Sequence, residues 1–168
     1  AADNLSGSKA ASDESIPPSP SGYPLFDNRV VRPSGDVVLS GDLSPDRDWI
    51  LDEHRTKDGQ ALIPGTGYIE LLRAAVAESK QEETFEIKDL FFFRPLAIAE
   101  GETRPFRVEL SGQDEGRSFR VRSQATLSDG RTGWQDHAEA RILPLASERP
   151  SALDLDSVAA RCGEPETP

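Results

Sequence analysis

One wide apolar stripe at helical spacing, followed by a run of strand-like segments, limits this chain more than any other feature. From Thr66 to about Ser79, the residues Ile69, Leu72 and Val76 recur at helical spacing, with Tyr68, Leu71 and Ala75 beside them. So broad a stripe predicts a helix that is largely buried. Pro64 and Gly65 interrupt the chain just before it, and Thr66 is the expected N-cap.

The segments after this helix read as strands. "FEIKDLFFFRPLAIA" is aromatic and β-branched, and its core "LFFFRPL" is apolar on both faces, so it is expected to be central or covered. "RPFRVELSGQ" alternates, with Phe106, Val108 and Leu110 on one face and Arg107 and Glu109 on the other. "SFRVRSQATLS" alternates through Phe119 and Val121, and "GWQDHAEARILPL" closes the series. The short "DEG" and "SDGRTG" connections are hairpin-like. Ahead of the helix, Val30 and Val31 precede the turn signal "RPSGD", and "DVVLSGDL" follows as a second strand. "SPDRDWILDEH" suggests a short helical turn, with Ser44 as cap and Pro45 at its first position.

One helix and several antiparallel strands bury each other only when the sheet curls around the helix. The expected class is therefore α+β, a single hot dog fold: a curved antiparallel sheet wrapped around one long helix. A chain of 168 residues suits one domain. Residues 1–22, rich in Ser, Pro, Ala and acid, read as a disordered linker. Residues 23–146 make the hot dog unit. Residues 147–168 read as a connector, with a short helical piece at Leu155–Arg161.

Charge and composition remove several function classes. The net charge of −11 argues against a nucleic-acid binder, which carries a basic patch, and against an anionic membrane surface. No apolar run approaches the length of a membrane span, and the first residues lack the apolar core of a signal peptide. The single cysteine, Cys162, excludes an internal disulfide and favours a reducing, cytoplasmic setting; nothing near it marks it as reactive. The chain holds no methionine, even at position 1, so it is expected to be either processed or cut from a longer polypeptide, the latter favoured.

The chemistry centres on "HRTKDGQALIPGTGYIELLRAA", where His54 precedes a glycine-rich helix start. A helix start offers unpaired N–H groups and partial positive charge. Gly65 and Gly67 let a ligand approach that backbone closely. Such a place stabilises negative charge growing on a carbonyl oxygen. An imidazole beside it takes up a proton near neutrality, which suits removal of a proton α to a carbonyl. The same residues also read as a plain helix cap and a surface histidine in a charged loop. The second histidine, His137, falls within a predicted strand, and a structural role is expected for it.

The chain resembles the N-terminal half of the dehydratase domain of modular polyketide synthases. That family carries His-x-x-x-Gly-x-x-x-x-Pro ahead of the hot dog helix. Here Gly59 and Pro64 keep the family spacing, and one extra residue separates His54 from Gly59. "YPLF" stands where the family often has His-Pro-Leu-Leu, "LFFFRPLAIAEGE" where it has Leu-x-Phe-x-x-Pro-Leu, and "GWQDHAEARI" and "LDLDSVAARC" match its closing strand and connector. The resemblance implies removal of water from a β-hydroxyacyl thioester held on an acyl carrier protein. It makes His54 the base that takes the α-proton. It assigns the polarisation of the thioester carbonyl to backbone around Gly59, Pro64, Gly65, Thr66 and Gly67. It implies no metal and no cofactor bound by this domain, since the phosphopantetheine arm belongs to the carrier. The implied partners are the carrier and the rest of a megasynthase, including a second hot dog half whose aspartate protonates the leaving hydroxyl.

Alone, this half is expected to dehydrate poorly and to self-associate through its apolar face, either as a homodimer through a native-like contact or with a second copy standing in for the missing half. Two other roles fit the same residues: a non-catalytic hot dog for dimerisation or carrier docking, and a related isomerase or cyclase using the same histidine. Arg107, Arg117, Arg120, Arg122 and Arg131 form a basic series that reads either as a carrier-docking stripe or, more simply, as a solvated sheet face of mixed charge.

Overall fold

The computed structural model describes residues 16–79, 84–112, 116–126, 130–145 and 151–162. Residues 1–15 of the linker expected at 1–22, the connections at 113–115 and 127–129, and most of the connector's flanks lie outside these residues. The strands are β1 (Ser19–Pro20), β2 (Asn28–Val31), β3 (Val37–Leu43), β4 (Ala61–Leu62), β5 (Phe85–Phe92), β6 (Ala97–Ile98), β7 (Arg104–Ser111), β8 (Arg117–Thr126) and β9 (Thr132–Pro144). The helices are α1 (Trp49–Asp52), α2 (Gly65–Glu78) and α3 (Leu155–Cys162).

Seven strands form one antiparallel sheet in the order β1-β2-β3-β7-β8-β9-β5, and β4 pairs with β6 in a small second ribbon. The alternation in β7 and β8 does what the pattern requires. Phe106, Val108, Leu110, Phe119 and Val121 are all fully buried, and Val108 sits opposite Val121 in the ladder. The buried residues of α2 pack with these strands into one core, and the helix lies against β3 and β7. This is the expected hot dog arrangement.

Several expectations are corrected. Ordered pairing begins at Ser19, which pairs with Arg29, ahead of Tyr23. The short helix starts at Trp49 and not at Pro45. Asp48 folds back, its carboxylate accepting the Ser44 N–H at 2.8 Å, so 44–48 is a turn that delays the helix. In α2 the N-cap is Pro64, with no side-chain cap, and Thr66 lies inside the first turn. Ile69 is 43% exposed, because the buried face runs through Gly67, Tyr68, Leu71, Leu72, Ala74, Ala75 and Val76.

The aromatic strand is also not central. β5 is the outer strand of the described sheet, with a register shift between Lys88 and Phe91 at Asp89, whose φ is 51°. The shift leaves Phe91, Phe92 and Phe93 about half exposed.

The outer face of β7–β9 carries mixed, paired charge. Arg122 donates to Asp136 at 2.5 Å and lies 3.7 Å from Glu109. Arg120 is 3.5 Å from Glu139, and Arg107 is 2.6 Å from Glu109 with its guanidinium 4.1 Å over Trp134. Arg117 turns elsewhere, donating to Ser79 Oγ at 2.9 Å and the Gly35 carbonyl at 3.0 Å.

Candidate active site

His54 leaves the end of α1. Its backbone N–H donates to the Leu51 carbonyl at 3.2 Å and its carbonyl accepts the Leu62 N–H at 2.9 Å. The residue is therefore held from both sides, by the short helix behind it and by β4, which leads into α2. The residues between are a tight turn: Thr56 N–H donates to Gln60, Gly59 N–H to Thr56, and Arg55 bridges to Ala61. The loop that carries the extra residue relative to the family pattern closes on itself beyond the histidine.

The ring is fixed by Ile50, four residues earlier. His54 Nδ1 lies 2.8 Å from the Ile50 carbonyl oxygen. A carbonyl only accepts, so Nδ1 carries the proton and donates. In the neutral ring Nε2 is then the nitrogen with a free lone pair. The half-buried ring lines a groove of about 530 Å³, within the range of small-ligand pockets, roughly 300–1,000 Å³.

The other lining residues come from three places. The segment before β2 gives Tyr23, Pro24 and Leu25; the turn and α1 give Arg47, Asp48, Trp49 and Ile50. The start of α2 gives Pro64, Thr66, Gly67 and Glu70. α2 has no side-chain cap, its Gly67 N–H donates to the Pro64 carbonyl at 2.8 Å, and the positive end of the helix faces this region at Thr66. Gly67 is needed here: a Cβ would stand 2.8 Å from Ile63 Cγ2 and 3.3 Å from Ile50 Cδ1.

Of the residues singled out from sequence, His54, Pro64, Thr66 and Gly67 line one groove. Gly65 is exposed at the helix start on the side of Phe92 and does not line it. Gly59 sits at the exposed turn with φ 81°, its N–H bonded to the Thr56 carbonyl at 2.9 Å, and does not line the groove. Its glycine is explained by the left-handed turn alone.

Eight groove residues escaped the sequence reading, Tyr23, Trp49 and Glu70 among them. Trp49 is 68% exposed at the rim. Tyr23 Oη donates to Glu70 Oε1 at 2.7 Å, and Arg73 donates to both oxygens of Glu70, at 2.7 and 2.8 Å. The Arg73 hydrogen bond, helped by that of Tyr23, holds the Glu70 carboxyl down to about 2. Burial and the neighbouring carboxylate push the Tyr23 phenol up to about 12. The helical spacing of Glu70 and Arg73 was visible in sequence; their pairing with a residue 47 positions earlier was not.

His137 is fully buried, and its Nε2 lies 2.8 Å from Ser123 Oγ. Its Nδ1 is 3.3 Å from the Arg94 carbonyl. Burial pushes its pKa below the ordinary value. It lines none of the described grooves and bridges β8 and β9 inside the core. Among the described residues, no three His, Cys, Asp or Glu side chains cluster as metal ligands, and no helix is long and apolar enough to cross a membrane.

A sheet curled round one helix defines a hot dog fold, here with an oriented histidine beside the helix start. More closely, the chain belongs to the polyketide synthase dehydratase domain family, whose model matches residues 23–124, and it is the N-terminal half of such a domain. It is 32% identical over 119 residues to mycoketide-CoA synthase of Mycobacterium tuberculosis, a match covering 71% of this chain and 3% of that one. It is 28% identical over 125 residues to polyketide synthase PksM of Bacillus subtilis, covering 66% of this chain and 3% of that protein. Among solved structures, the dehydratase domain of the CurJ module of curacin polyketide synthase superposes with a TM-score of 0.66 at 29% identity, over 84% of this chain and 47% of that one. The dehydratase of the terminal module of the rifamycin polyketide synthase gives 0.67 at 25% identity, over 80% and 47%. The chain thus spans about half of the solved dehydratase domains and a small fraction of the curated synthases.

Proposed function

We propose that the groove receives a β-hydroxyacyl thioester, delivered on the phosphopantetheine arm of an acyl carrier protein, and that His54 removes its α-proton. The observation that carries this is the ring of His54, locked by Ile50 with Nε2 as the basic nitrogen, in one groove with the uncapped start of α2. Negative charge developing on the thioester oxygen is stabilised by the positive end of α2, which meets the groove at Thr66. The Cα–H bond breaks toward Nε2, the Cα–Cβ double bond forms, and the Cβ–O bond breaks as the hydroxyl leaves. The leaving hydroxyl needs a proton to depart as water.

That proton does not come from the groove's own acids. Glu70 stays ionised with its pKa near about 2, and Tyr23, pushed up to about 12, holds its proton. The Asp48 carboxylate is engaged by the Ser44 N–H and by Arg47. The acid belongs to a second hot dog half, as the family resemblance implies. A base without its acid forfeits about 10²–10⁴-fold of proton-transfer assistance, so this half alone turns over poorly. The half-exposed edge of Phe91, Phe92 and Phe93 supplies an apolar surface against which that second half, or a second copy of the chain, packs.

The test is dehydration of a β-hydroxyacyl thioester by the polypeptide containing both halves. His54→Gln lowers turnover by at least about a hundredfold while leaving thioester binding in place. Unchanged turnover removes the role assigned to His54 and leaves the scaffold role.

A further inference from the structure

The segment from Ser19 to Phe26 runs beside α2, and its Tyr23, Pro24 and Leu25 form a wall of the His54 groove. It is anchored at both ends. On one side, the Gly22 N–H donates to Glu78 Oε1 at 2.9 Å, and Arg29 pairs with Glu78 Oε2 at 2.9 Å. On the other, Phe26 is buried and stacks on Phe106 with centroids 5.3 Å apart, and the Asp27 N–H donates to the Ser40 carbonyl at 2.9 Å. The backbone there lies so close to β3 that a Cβ at Gly41 would stand 2.8 Å from the Leu25 carbonyl oxygen.

Between these anchors, Tyr23, Pro24 and Leu25 face the groove, and the side-chain bond that ties the span to the helix is Tyr23 Oη to Glu70. Glu70 lies two helical turns before Glu78, so the strap is pinned to α2 at two points along one side. Both partners keep the protonation state the bond needs across the neutral range, the phenol protonated and the carboxyl ionised.

We propose that Tyr23 and Glu70 are specificity-determining residues: their hydrogen bond fixes the Tyr23–Leu25 wall and so sets the width of the groove. The inference rests on the groove being the acyl-thioester site. The lining from Pro24, Leu25, Trp49, Ile50 and Pro64 is largely apolar, which suits an uncharged acyl chain. With the wall held rigid, the groove favours a linear chain over one branched beyond its β-carbon. Releasing the latch lets the wall move and relaxes that preference.

The test uses two amide analogues of a β-hydroxyacyl-pantetheine, one linear and one branched beyond the β-carbon, titrated against the whole chain. Binding is followed by Trp49 fluorescence, in a Trp134→Phe background, and by the His54 ring resonances. The parent chain binds the linear analogue at least fivefold more tightly. Tyr23→Phe and Glu70→Ala each cut this ratio to below about twofold. Glu70→Gln, whose amide oxygen still accepts from Tyr23, keeps the parent ratio. Circular dichroism confirms that the variants are folded. If both analogues bind and move the His54 resonances but the ratio is the same in every variant, the latch has no part in selection and the inference falls. If Glu70→Gln loses the preference as Glu70→Ala does, charge and not the latch is responsible, which also overturns it. If neither analogue binds the parent chain, the reading of the groove as a thioester site fails, and this inference with it.

Discussion

Replacing Gly67 by alanine tests whether close packing at the start of α2 holds the site together. The new Cβ would stand 2.8 Å from Ile63 Cγ2, 3.3 Å from Ile50 Cδ1 and 3.4 Å from Pro64 Cδ. Ile63 is 2% exposed, and its Cγ2 is bonded directly to its own Cβ, so it has little freedom to swing aside. Overpacking of this kind costs about 1–3 kcal/mol. Alanine's helix preference over glycine returns at most about 1 kcal/mol of that. With the full offset, the net expectation is a loss of up to about 2 kcal/mol, read as a lower urea midpoint with an unchanged slope. The second contact gives a functional consequence. The Ile50 carbonyl is the acceptor that orients His54, so pushing Ile50 displaces the ring, and the His54 resonances shift. A Gly67→Ala variant as stable as the parent, with His54 resonances unmoved, would refute the packing argument.

Other expectations follow from the core, the outer face and the edge. Burial pushes the pKa of His137 below its ordinary value of 6.5 in the folded protein. Below that pH the unfolded chain binds the extra proton and the folded one resists it, so stability is lost as pH falls through about 6 and is level above about 7; urea titrations across this range check it, and His137→Gln flattens the dependence. Ser123→Ala removes the partner of a buried ring nitrogen and costs about 1–3 kcal/mol by the same assay. Charge reversal at Arg120 and Arg122 leaves affinity for an acidic carrier protein within twofold, because these arginines already pair with Glu139, Asp136 and Glu109; a tenfold loss would restore the docking stripe. Phe91→Ser together with Phe93→Ser shifts sedimentation of the chain toward monomer, and a parent that is monomeric at all concentrations would contradict the apolar-edge argument.

Local pattern made much of this fold legible. Phe106, Val108 and Leu110 must share a face because a strand alternates, and nothing non-local competes with that rule in β7 or β8. His54 and the Pro64–Gly67 segment drew attention because a helix start and an imidazole have chemistry of their own. Edges were not legible. "LFFFRPL" has the composition of a covered strand, yet the register shift at Asp89 and its place beside β9 alone leave its phenylalanines half exposed. Caps also misled: Ser44 and Thr66 have the right chemistry, but Asp48 and Pro64 occupy the cap positions, since the turns before each helix set where it starts. Gly59 read as part of the site because it belongs to the motif, while its place is explained by the turn it closes. Tyr23 was out of reach for a different reason. Its importance lies in a bond to Glu70 that exists only after the first strands fold back along α2.

The central claim is that His54 presents Nε2 as a base to a thioester held at the start of α2. Nitrogen-15 spectra of the labelled histidine rings, taken with and without a β-hydroxyacyl-pantetheine amide, test it most directly. The expected result is a neutral ring protonated at Nδ1, with the Nε2 signal moving on ligand addition and the Nδ1 signal nearly still. A ring protonated at Nε2, or an Nε2 signal that ignores saturating ligand, would contradict it.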